Sequence, residues 1–434
     1  MEILSLGEKI KRRRKELNMT LKDLAGDRIT PGQISLVESG KSNPSMDLLE
    51  YLADELNTSV EYLMESEETQ AEKICVFFEN IAEAHIKDGD MSQGEANLEM
   101  AAYYAEKYKL DYRKAKNLYL RGIISMKNGE MGVAQEFFLS ANVIFIRLNC
   151  YEEVVNTFLR LGRITLELKA YNSSCSYFQQ AEKVYEDNNI GNDFLIAEIY
   201  YYIAVIYFKL ENIDKSINYS YLAQKKFSQL DNNKEYAKTL LLLSKEYSKL
   251  GDIDNAIKFS QKSLEVFGKI DEFEYVSEIE NSLGKLFYEF ENIEESFMHL
   301  NKAKEMRMKN KDSKLIETLC NICENYIKLK NIEDSNKSLK EIMDNIENGN
   351  ERDMLKYYLL KYRVDILEKN SREGENTLLT ALNYAESIGY LKEAAEISIM
   401  AGKFYVDNGS DSEAAKYLNK GVEIFKKLGI LSDF

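Results

Sequence analysis

The chain has 434 residues, of which 44% are hydrophobic and 30% are charged, and its formal net charge is −16. This acidic balance excludes broad, non-specific coating of nucleic acid, although it leaves room for one small basic surface. No apolar run is long enough to cross a bilayer, and the N-terminus lacks the pattern of a signal peptide, so we expect a cytoplasmic protein.

The first 64 residues predict five short helices. They span Leu6–Leu17, Leu21–Ala25, Pro31–Ser39, Met46–Leu56 and Ser59–Met64. Thr20 and Thr30 each precede a helix as capping residues, and Pro31 sits at a first helical position, where its missing N–H is harmless. Gly40 is suited to ending the third helix. Two short helices joined by a tight turn predict a helix-turn-helix domain.

The run ISLVESGKSNPS at Ile34–Ser45 closely resembles the Cro/repressor (XRE) family. The resemblance implies that the third helix turns Gln33, Ser35 and Leu36 toward the major groove. Gln33 is the best base-contacting candidate, because glutamine can bond adenine at two atoms. The resemblance also implies phosphate contacts by residues at the ends of these helices: Thr20, Ser39, Lys41, Ser42 and Asn43. Glu38 is expected to brace the fold.

Seven residues of the first helix, at 9–15, contain six cations. They form a local basic cluster rather than a basic domain, since acids elsewhere in the head cancel them in the sum. By the same resemblance, residues 12–15 are expected to add positive charge near the DNA backbone.

After an acidic stretch at 65–71, predicted to be a linker, the chain repeats itself about every 40 residues, nine times. Each unit has a short turn between two amphipathic helices; in one unit we predict helices at Ala197–Glu211 and Ile213–Phe227, with Asn212 in the turn. A fixed period of this length predicts stacked helical hairpins, because no single unit can bury its apolar face alone. The predicted domains are therefore a head at 1–64 and a repeat body at 72–434.

Small residues occupy one position on each helix of the unit. The first-helix position holds Ala82, Gly122, Gly162, Ala204, Ser244, Gly284, Cys323, Tyr362 and Gly402. The second-helix position holds Gly94, Ala134, Ser174, Ser216, Ala256, Ser296, Ser335, Gly374 and Ala414. Matched small residues predict a close approach of the two helices, and Tyr362 predicts irregular packing in the eighth unit.

Five cysteines are scattered along the chain: Cys75, Cys150, Cys175, Cys320 and Cys323. An odd, scattered set does not predict a disulfide framework. The last two form a CxxC pair, for which a redox or zinc role stands beside a plain core role. Because the chain has two histidines and no second CxxC, we expect no metal and no cofactor.

The repeats resemble the tetratricopeptide repeat, in the motifs GDIDNAI at Gly251–Ile257 and SLGKLFY at Ser282–Tyr288. The resemblance implies an all-α fold, in which a right-handed α-solenoid of about nine hairpins follows a five-helix Cro/repressor-type head. The first helices would form an inner face for a short peptide, because asparagine can bond a peptide backbone and cations can hold carboxylates. The residues expected there are Asn156, Arg163, Tyr201, Lys245, Asn281, Lys285, Glu324, Arg363 and Lys403. A solvated face without a ligand is the alternative.

Head and body together resemble the RRNPP family of Gram-positive regulators, which includes Rap, Rgg, NprR, PlcR and PrgX, and most of all its clostridial RstA-type members. The resemblance implies a homodimeric, non-enzymatic transcription regulator that binds operator DNA and responds to a short signalling peptide, as in quorum-sensing control of sporulation, toxin or virulence. One alternative is a Rap-like body that binds or dephosphorylates a response regulator, using a carboxamide such as Asn80 or Gln93. Another is a plain repressor whose repeats only dimerise.

Overall fold

The computed structural model describes residues 2–270, 272–346 and 350–430. Every regular element in those ranges is an α-helix, which confirms the predicted all-α fold. The chain divides into two compact units, Met1–Leu210 and Glu211–Phe434, and each is described by itself. None of the helices in the described ranges combines the length and the apolarity that a membrane crossing requires.

The head contains the five predicted helices with nearly the predicted bounds. They are α1 (Leu6–Glu16), α2 (Leu21–Ala25), α3 (Pro31–Glu38), α4 (Met46–Glu55) and α5 (Val60–Met64). Thr20 and Thr30 cap α2 and α3 as expected, each by accepting a hydrogen bond from the third backbone N–H of its helix. The head has its own core, in which Leu48 packs against five buried residues: Ala25, Ile34, Val37, Leu49 and Leu52.

The rest of the first unit consists of longer helices in succession. They are α6 (Glu67–Asp88), α7 (Met91–Lys107), α8 (Asp111–Lys127), α9 (Met131–Arg147), α10 (Tyr151–Glu167), α11 (Tyr171–Asp187) and α12 (Asp193–Lys209). Each helix packs on the next one along the chain, which is the arrangement of stacked hairpins. The predicted unit at Ala197–Phe227 is shifted at its first helix, which begins at Asp193 and ends two residues before Glu211.

Most of the predicted linker is helical, because α6 begins at Glu67. Gln70, on the first turn of α6, forms hydrogen bonds with the segment before α1. Its Oε1 accepts from the Leu4 N–H at 3.1 Å, and its Nε2 donates to the Leu4 carbonyl at 2.9 Å. The domain boundaries at 64 and 72 stay a prediction, but the head and α6 are directly joined by these bonds.

The second unit continues the succession of hairpins. Its helices are α13 (Ile213–Gln229), α14 (Asn233–Leu250), α15 (Ile253–Lys269), α16 (Phe273–Glu289), α17 (Ile293–Asn310), α18 (Leu315–Lys328), α19 (Ile332–Asn345), α20 (Glu351–Leu367), α21 (Ser371–Ser387), α22 (Leu391–Asp407) and α23 (Asp411–Lys427). Within the two units, the described part of the chain contains eight hairpins of consecutive packed helices, from α6 with α7 to α22 with α23.

The turns inside the hairpins share one backbone geometry. In each repeat the turn is a triplet of residues, the last of which begins the second helix. The first residue of the triplet has a positive φ in all nine repeats: Gly89, Gly129, Lys169, Glu211, Gly251, Glu291, Lys330, Lys369 and Gly409. In six of these nine turns the side chain of the next residue caps the second helix; Asp252, for example, accepts from the Asn255 N–H at 3.1 Å. A left-handed residue is therefore common to all nine turns, and a side-chain cap follows it in most of them.

The predicted close approach of the paired helices is present. In the third hairpin, a Cβ added at Gly162 would lie 2.5 Å from the ring of Phe178, and the Ser174 hydroxyl donates to the Gly162 carbonyl at 2.7 Å. The small first-helix residue thus makes room for a large side chain of the second helix. In the eighth hairpin, the ring of Tyr362 packs edge-on against Phe404 of the following hairpin, at 6.4 Å between centroids.

Candidate DNA-binding face and ligand groove

The eight residues predicted to contact DNA all have exposed side chains. They lie at the start of α2, on α3 and in the turn that follows it: Thr20, Gln33, Ser35, Leu36, Ser39, Lys41, Ser42 and Asn43. The turn is held by its own backbone, since the N–H groups of Lys41 and Ser42 both donate to the Leu36 carbonyl, at 2.9 and 3.3 Å. The turn is therefore bonded to the end of α3, and the side chains of both segments are open to solvent.

Gln33 also has a structural role at the start of α3. Its Oε1 accepts hydrogen bonds from the backbone N–H and the hydroxyl of Thr30, at 2.9 and 3.3 Å. The two residues form a reciprocal capping box at the start of α3. Bidentate bonding to an adenine uses both the oxygen and the nitrogen of the amide, so it requires Gln33 to leave this cap.

Glu38 braces the head, as predicted. Its carboxylate accepts from Arg14 Nε at 2.6 Å and from Arg14 Nη2 at 2.9 Å. The side chains of both residues are mostly buried. Arg14 also donates to the Met19 carbonyl at 2.9 Å, so one guanidinium ties α1 to α3 and to the loop before α2.

Among residues 12–15, which are expected to add charge near the DNA backbone, Arg14 is committed to a buried ion pair, while for Arg12, Arg13 and Lys15 the expectation stays a prediction. Arg14 is bound to Glu38, Arg13 donates to the Leu56 carbonyl at 2.9 Å, and Arg12 pairs with Glu2 and Glu16. Lys9 is buried and donates to the carbonyls of Tyr62 and Glu65, at 2.8 and 2.6 Å. The cluster mainly holds the head together, because buried cations must be paired with acceptors.

In the first unit, the predicted peptide-binding residues lie on α10 and α12. Arg163 stands over the Tyr202 ring at 5.5 Å and lies 3.7 Å from the Glu198 carboxylate. Tyr201 packs edge-on against the same Tyr202 ring. Arg163 and Tyr201 thus both contact the Tyr202 ring, whereas Asn156 is half-buried about two helical turns before Arg163 on α10.

In the second unit, the first helices of successive hairpins line a groove of about 660 Å³. This volume is in the range of small-ligand sites. The groove is lined by Lys285, Glu317, Cys320, Asn321, Glu324, Arg352, Lys356, Leu359, Leu360, Arg363 and Met400. The lining carries four cations and two carboxylates, and the Asp353 carboxylate lies 2.9 Å from Lys356, which leaves a small excess of positive charge in an acidic chain.

Three of the six residues expected on the inner face of this unit line the groove, and Lys403 lies outside its lining. Lys285 is exposed there, and Glu324 pairs with Arg363 at 3.4 Å. Asn281 is buried beneath, where its Oδ1 accepts from Asn321 at 3.0 Å and its Nδ2 donates to Glu317 at 3.4 Å. Asn281 therefore positions two lining residues, and direct contact with a ligand would require it to release them.

Lys245 lies outside the groove lining and is engaged elsewhere. Its ammonium donates to Glu278 at 2.7 Å, and Lys314 lies 3.3 Å from the same carboxylate. Although burial opposes it, these two ammonium groups hold the pKa of Glu278 below its ordinary value. The arrangement is an ion-pair cluster on neighbouring first helices rather than an open ligand contact.

Several lining residues were missed from the sequence, although the repeat contains the signal. Asn156 lies six positions before its hairpin's small residue, and Glu317 and Lys356 occupy the same position in later units. Applying that position to every unit would have found both. Arg352 and Met400 stand at other register positions and reach the groove through the packing of neighbouring hairpins.

The CxxC pair has the character of core residues. Cys320 and Cys323 are buried, unpaired thiols, and burial raises the pKa of each to about 12. Thiols of this kind are poor nucleophiles and poor metal ligands at neutral pH. Among the residues that the structure describes, no group of three His, Cys, Asp or Glu side chains is placed to hold a metal.

Two protein families match parts of the sequence. The helix-turn-helix family matches residues 10–63, and the tetratricopeptide repeat family matches residues 195–269. A comparison with curated proteins finds no significant match. The helix-turn-helix type is thus confirmed for the head, and the tetratricopeptide type is confirmed for the repeats at 195–269.

Solved structures share the fold. The apo form of RapI superimposes with a TM-score of 0.64 at 16% identity, over 82% of this chain and 99% of its own. The apo form of the quorum sensor NprR from B. thuringiensis gives 0.55 at 14%, over 97% and 100%. Aspartyl phosphate phosphatase F from Bacillus subtilis gives 0.53 at 13%, over 83% and 95%. The resemblance to the RRNPP family is confirmed in domain composition and fold.

Proposed function

We propose that this chain, which joins a helix-turn-helix head to tetratricopeptide repeats as RRNPP regulators do, is a peptide-responsive transcription regulator. The head binds operator DNA, and the chain acts as a homodimer so that two heads meet two half-sites. A short signalling peptide occupies the groove of the second unit and changes DNA binding. We expect this regulator in the cytoplasm, where its operator lies.

The DNA-binding part of the proposal is supported by the exposed face of α3 and its following turn. Gln33, Ser35 and Lys41 offer an amide, a hydroxyl and an ammonium on one short, rigid segment. Amides and hydroxyls suit base edges, while ammonium groups suit phosphates. The helix-turn-helix family match covers this whole segment.

The peptide part is carried by the groove and its charge. Four cations line the groove, while Glu317, Glu324 and the Asp353 carboxylate paired with Lys356 are the three carboxylates beside them, so the groove favours a ligand with an acidic side chain or a C-terminal carboxylate. Asn321 adds an amide that can bond a peptide backbone. NprR, whose fold covers nearly the whole chain, is described as a quorum sensor, which is the same kind of function.

The test is calorimetry of the full chain against short synthetic peptides encoded by small open reading frames near its gene. We expect one acidic peptide to bind, and Lys285→Glu with Arg363→Glu to abolish the heat of binding. Lys403→Glu is the matched control, because Lys403 occupies the same repeat position as Lys285 and lies outside the groove lining. Absence of binding by every peptide, or equal binding by both variants, would overturn the proposal.

A second candidate function is a Rap-like module that binds or dephosphorylates a response regulator. It is favoured by the fold shared with RapI and with aspartyl phosphate phosphatase F. The two candidate functions can be separated with a phosphorylated response regulator. It is incubated with the chain and with its Asn80→Ala and Gln93→Ala variants. Faster dephosphorylation that either variant removes would favour the Rap-like function.

A further inference from the structure

The outer face of α9 carries an apolar stripe in solvent. Leu139, Val143 and Ile146 follow one another at helical spacing, with side-chain exposures of 44%, 70% and 50%. Four- and three-residue steps place all three on one side of the helix. A contiguous exposed apolar surface of this kind marks an interaction site more often than isolated exposed residues do.

The other repeats provide an internal comparison for this stripe. The residue at the position of Val143 is exposed in every one of the other eight units. These residues are Tyr103, Lys183, Lys225, Glu265, Glu305, Asp344, Asn383 and Glu423. None is aliphatic and six are charged, so the hairpin geometry does not require a valine here. Only Tyr103, one hairpin earlier, extends the apolar character, with exposed Met100 beside it.

The charges at the two ends of α9 are complementary to those of a second α9 helix that runs antiparallel to it. Glu136 and Arg147 are exposed at opposite ends of the stripe. Their spacing of 11 residues is about three helical turns, or roughly 16 Å, which keeps both on one side. Arg147 also lies 2.9 Å from Asp111, but a guanidinium has five donors and can hold a second carboxylate.

We propose that this stripe binds the same stripe of a second copy of the chain, with the two α9 helices antiparallel about a twofold axis. That axis places Glu136 against Arg147 of the second copy, and the reverse pair forms at the other end. At the centre, Ser140 faces Val143 of the second copy. The small serine side chain leaves room for the branched valine side chain. An isologous dimer needs such a self-complementary surface. The inference rests on the proposed function only for the expectation that the chain works in pairs.

The test is sedimentation velocity of the full chain, without DNA or peptide, over a range of concentrations. We expect a dimer, and we expect Val143→Lys to raise its Kd about 30-fold or more, as for a central interface residue. Leu222→Lys on α13 is the matched control, since Leu222 is equally an exposed aliphatic residue, and it should leave the dimer intact. Because Val143 is the most exposed residue of the stripe, the variant should keep its circular dichroism spectrum.

Charge exchange tests the antiparallel arrangement. Glu136→Arg and Arg147→Glu should each weaken the dimer about tenfold, and the double variant should recover it. A monomeric chain, a Val143→Lys dimer of unchanged Kd, or a double variant no tighter than the single ones would overturn the proposal. These outcomes are distinct from failure of the proposed function, because DNA and peptide binding are measured separately.

Discussion

Arg14 and Glu38 form a two-point ion pair, at 2.6 and 2.9 Å, that closes the first helix of the head onto the third. Both side chains are nearly out of solvent, at 12% and 8% exposure. The pair therefore fixes the position of α3 relative to the rest of the head, before any DNA is bound.

Replacing Arg14 by alanine should destabilise the head by about 3 kcal/mol or more, because Glu38 is left buried and unpaired. Hydrogen–deuterium exchange of α1 and α3 measures the effect. Arg12→Ala is the control; its ion pairs with Glu2 and Glu16 are exposed and should contribute less than about 1 kcal/mol. Equal exchange in the two variants would show that Glu38 does not depend on Arg14.

Gln33 and Lys41 should differ in what their loss does to DNA binding. Lys41→Ala should weaken binding to every sequence and lower the salt dependence by about one counterion. Gln33→Ala should cost about 1–3 kcal/mol on an operator selected in vitro and leave the salt dependence unchanged. Fluorescence anisotropy over a salt series checks both. A uniform loss for Gln33→Ala on selected and scrambled DNA would argue against base contact.

Glu246 should make the second unit less stable as pH rises. The residue is fully buried on α14, and Ser216 and Ser220 donate to its Oε1, while its Oε2 has no hydrogen-bond partner. Burial raises the pKa of the carboxyl from 4.5 to about 7. Since the folded chain holds this proton more tightly than the unfolded chain, the stabilisation is complete below pH 4.5 and is lost as pH rises through 7. The loss corresponds to about 3 kcal/mol.

Glu246→Gln should remove this part of the pH dependence, because the glutamine side chain stays neutral throughout. Hydrogen–deuterium exchange of α13 and α14 between pH 4.5 and 8, corrected for the intrinsic rate, measures it. Glu235→Gln is the control on the same helix, where the carboxylate is bound to Lys238 at 2.7 Å. A pH profile unchanged by Glu246→Gln would place the titrating group elsewhere.

Gly162→Ala should destabilise the third hairpin, although alanine is the better helix former. The added Cβ would meet the Phe178 ring at 2.5 Å, and overpacking of this kind costs about 1–3 kcal/mol. Gly268→Ala is the matched control, as its Cβ would meet no atom within 4 Å and should stabilise α15 by up to about 1 kcal/mol. Thermal unfolding followed by circular dichroism distinguishes the two; a stabilised Gly162→Ala would contradict the packing.

The sequence predicted local features of the fold well, because caps and turns depend on near neighbours. Thr20, Thr30 and Pro31 mark helix starts that the structure reproduces, and the turn triplets all contain the left-handed residue. The start of α12 was placed four residues late, since Asn192 accepts from the Leu195 N–H and begins the helix before the apolar pattern becomes regular.

The candidate sites were harder to predict, because their composition depends on tertiary partners. The sequence around Arg13 and Lys9 does not show that these cations donate hydrogen bonds to the backbone carbonyls of residues 56, 62 and 65. The repeat position selected Lys285 and Glu324, and both line the groove. It could not show that Asn281 would be covered by Asn321, since that contact crosses from one hairpin to the next.

The Gln70 amide, bonded to both backbone groups of Leu4, bears on how such proteins could be recombined. A chimaera that joins this head to another repeat body at residue 64 would discard the amide and leave the Leu4 N–H and carbonyl without their partners. A junction placed after the first turns of α6 would carry the whole attachment with the head. The unit to exchange is therefore the head together with the start of its first repeat helix.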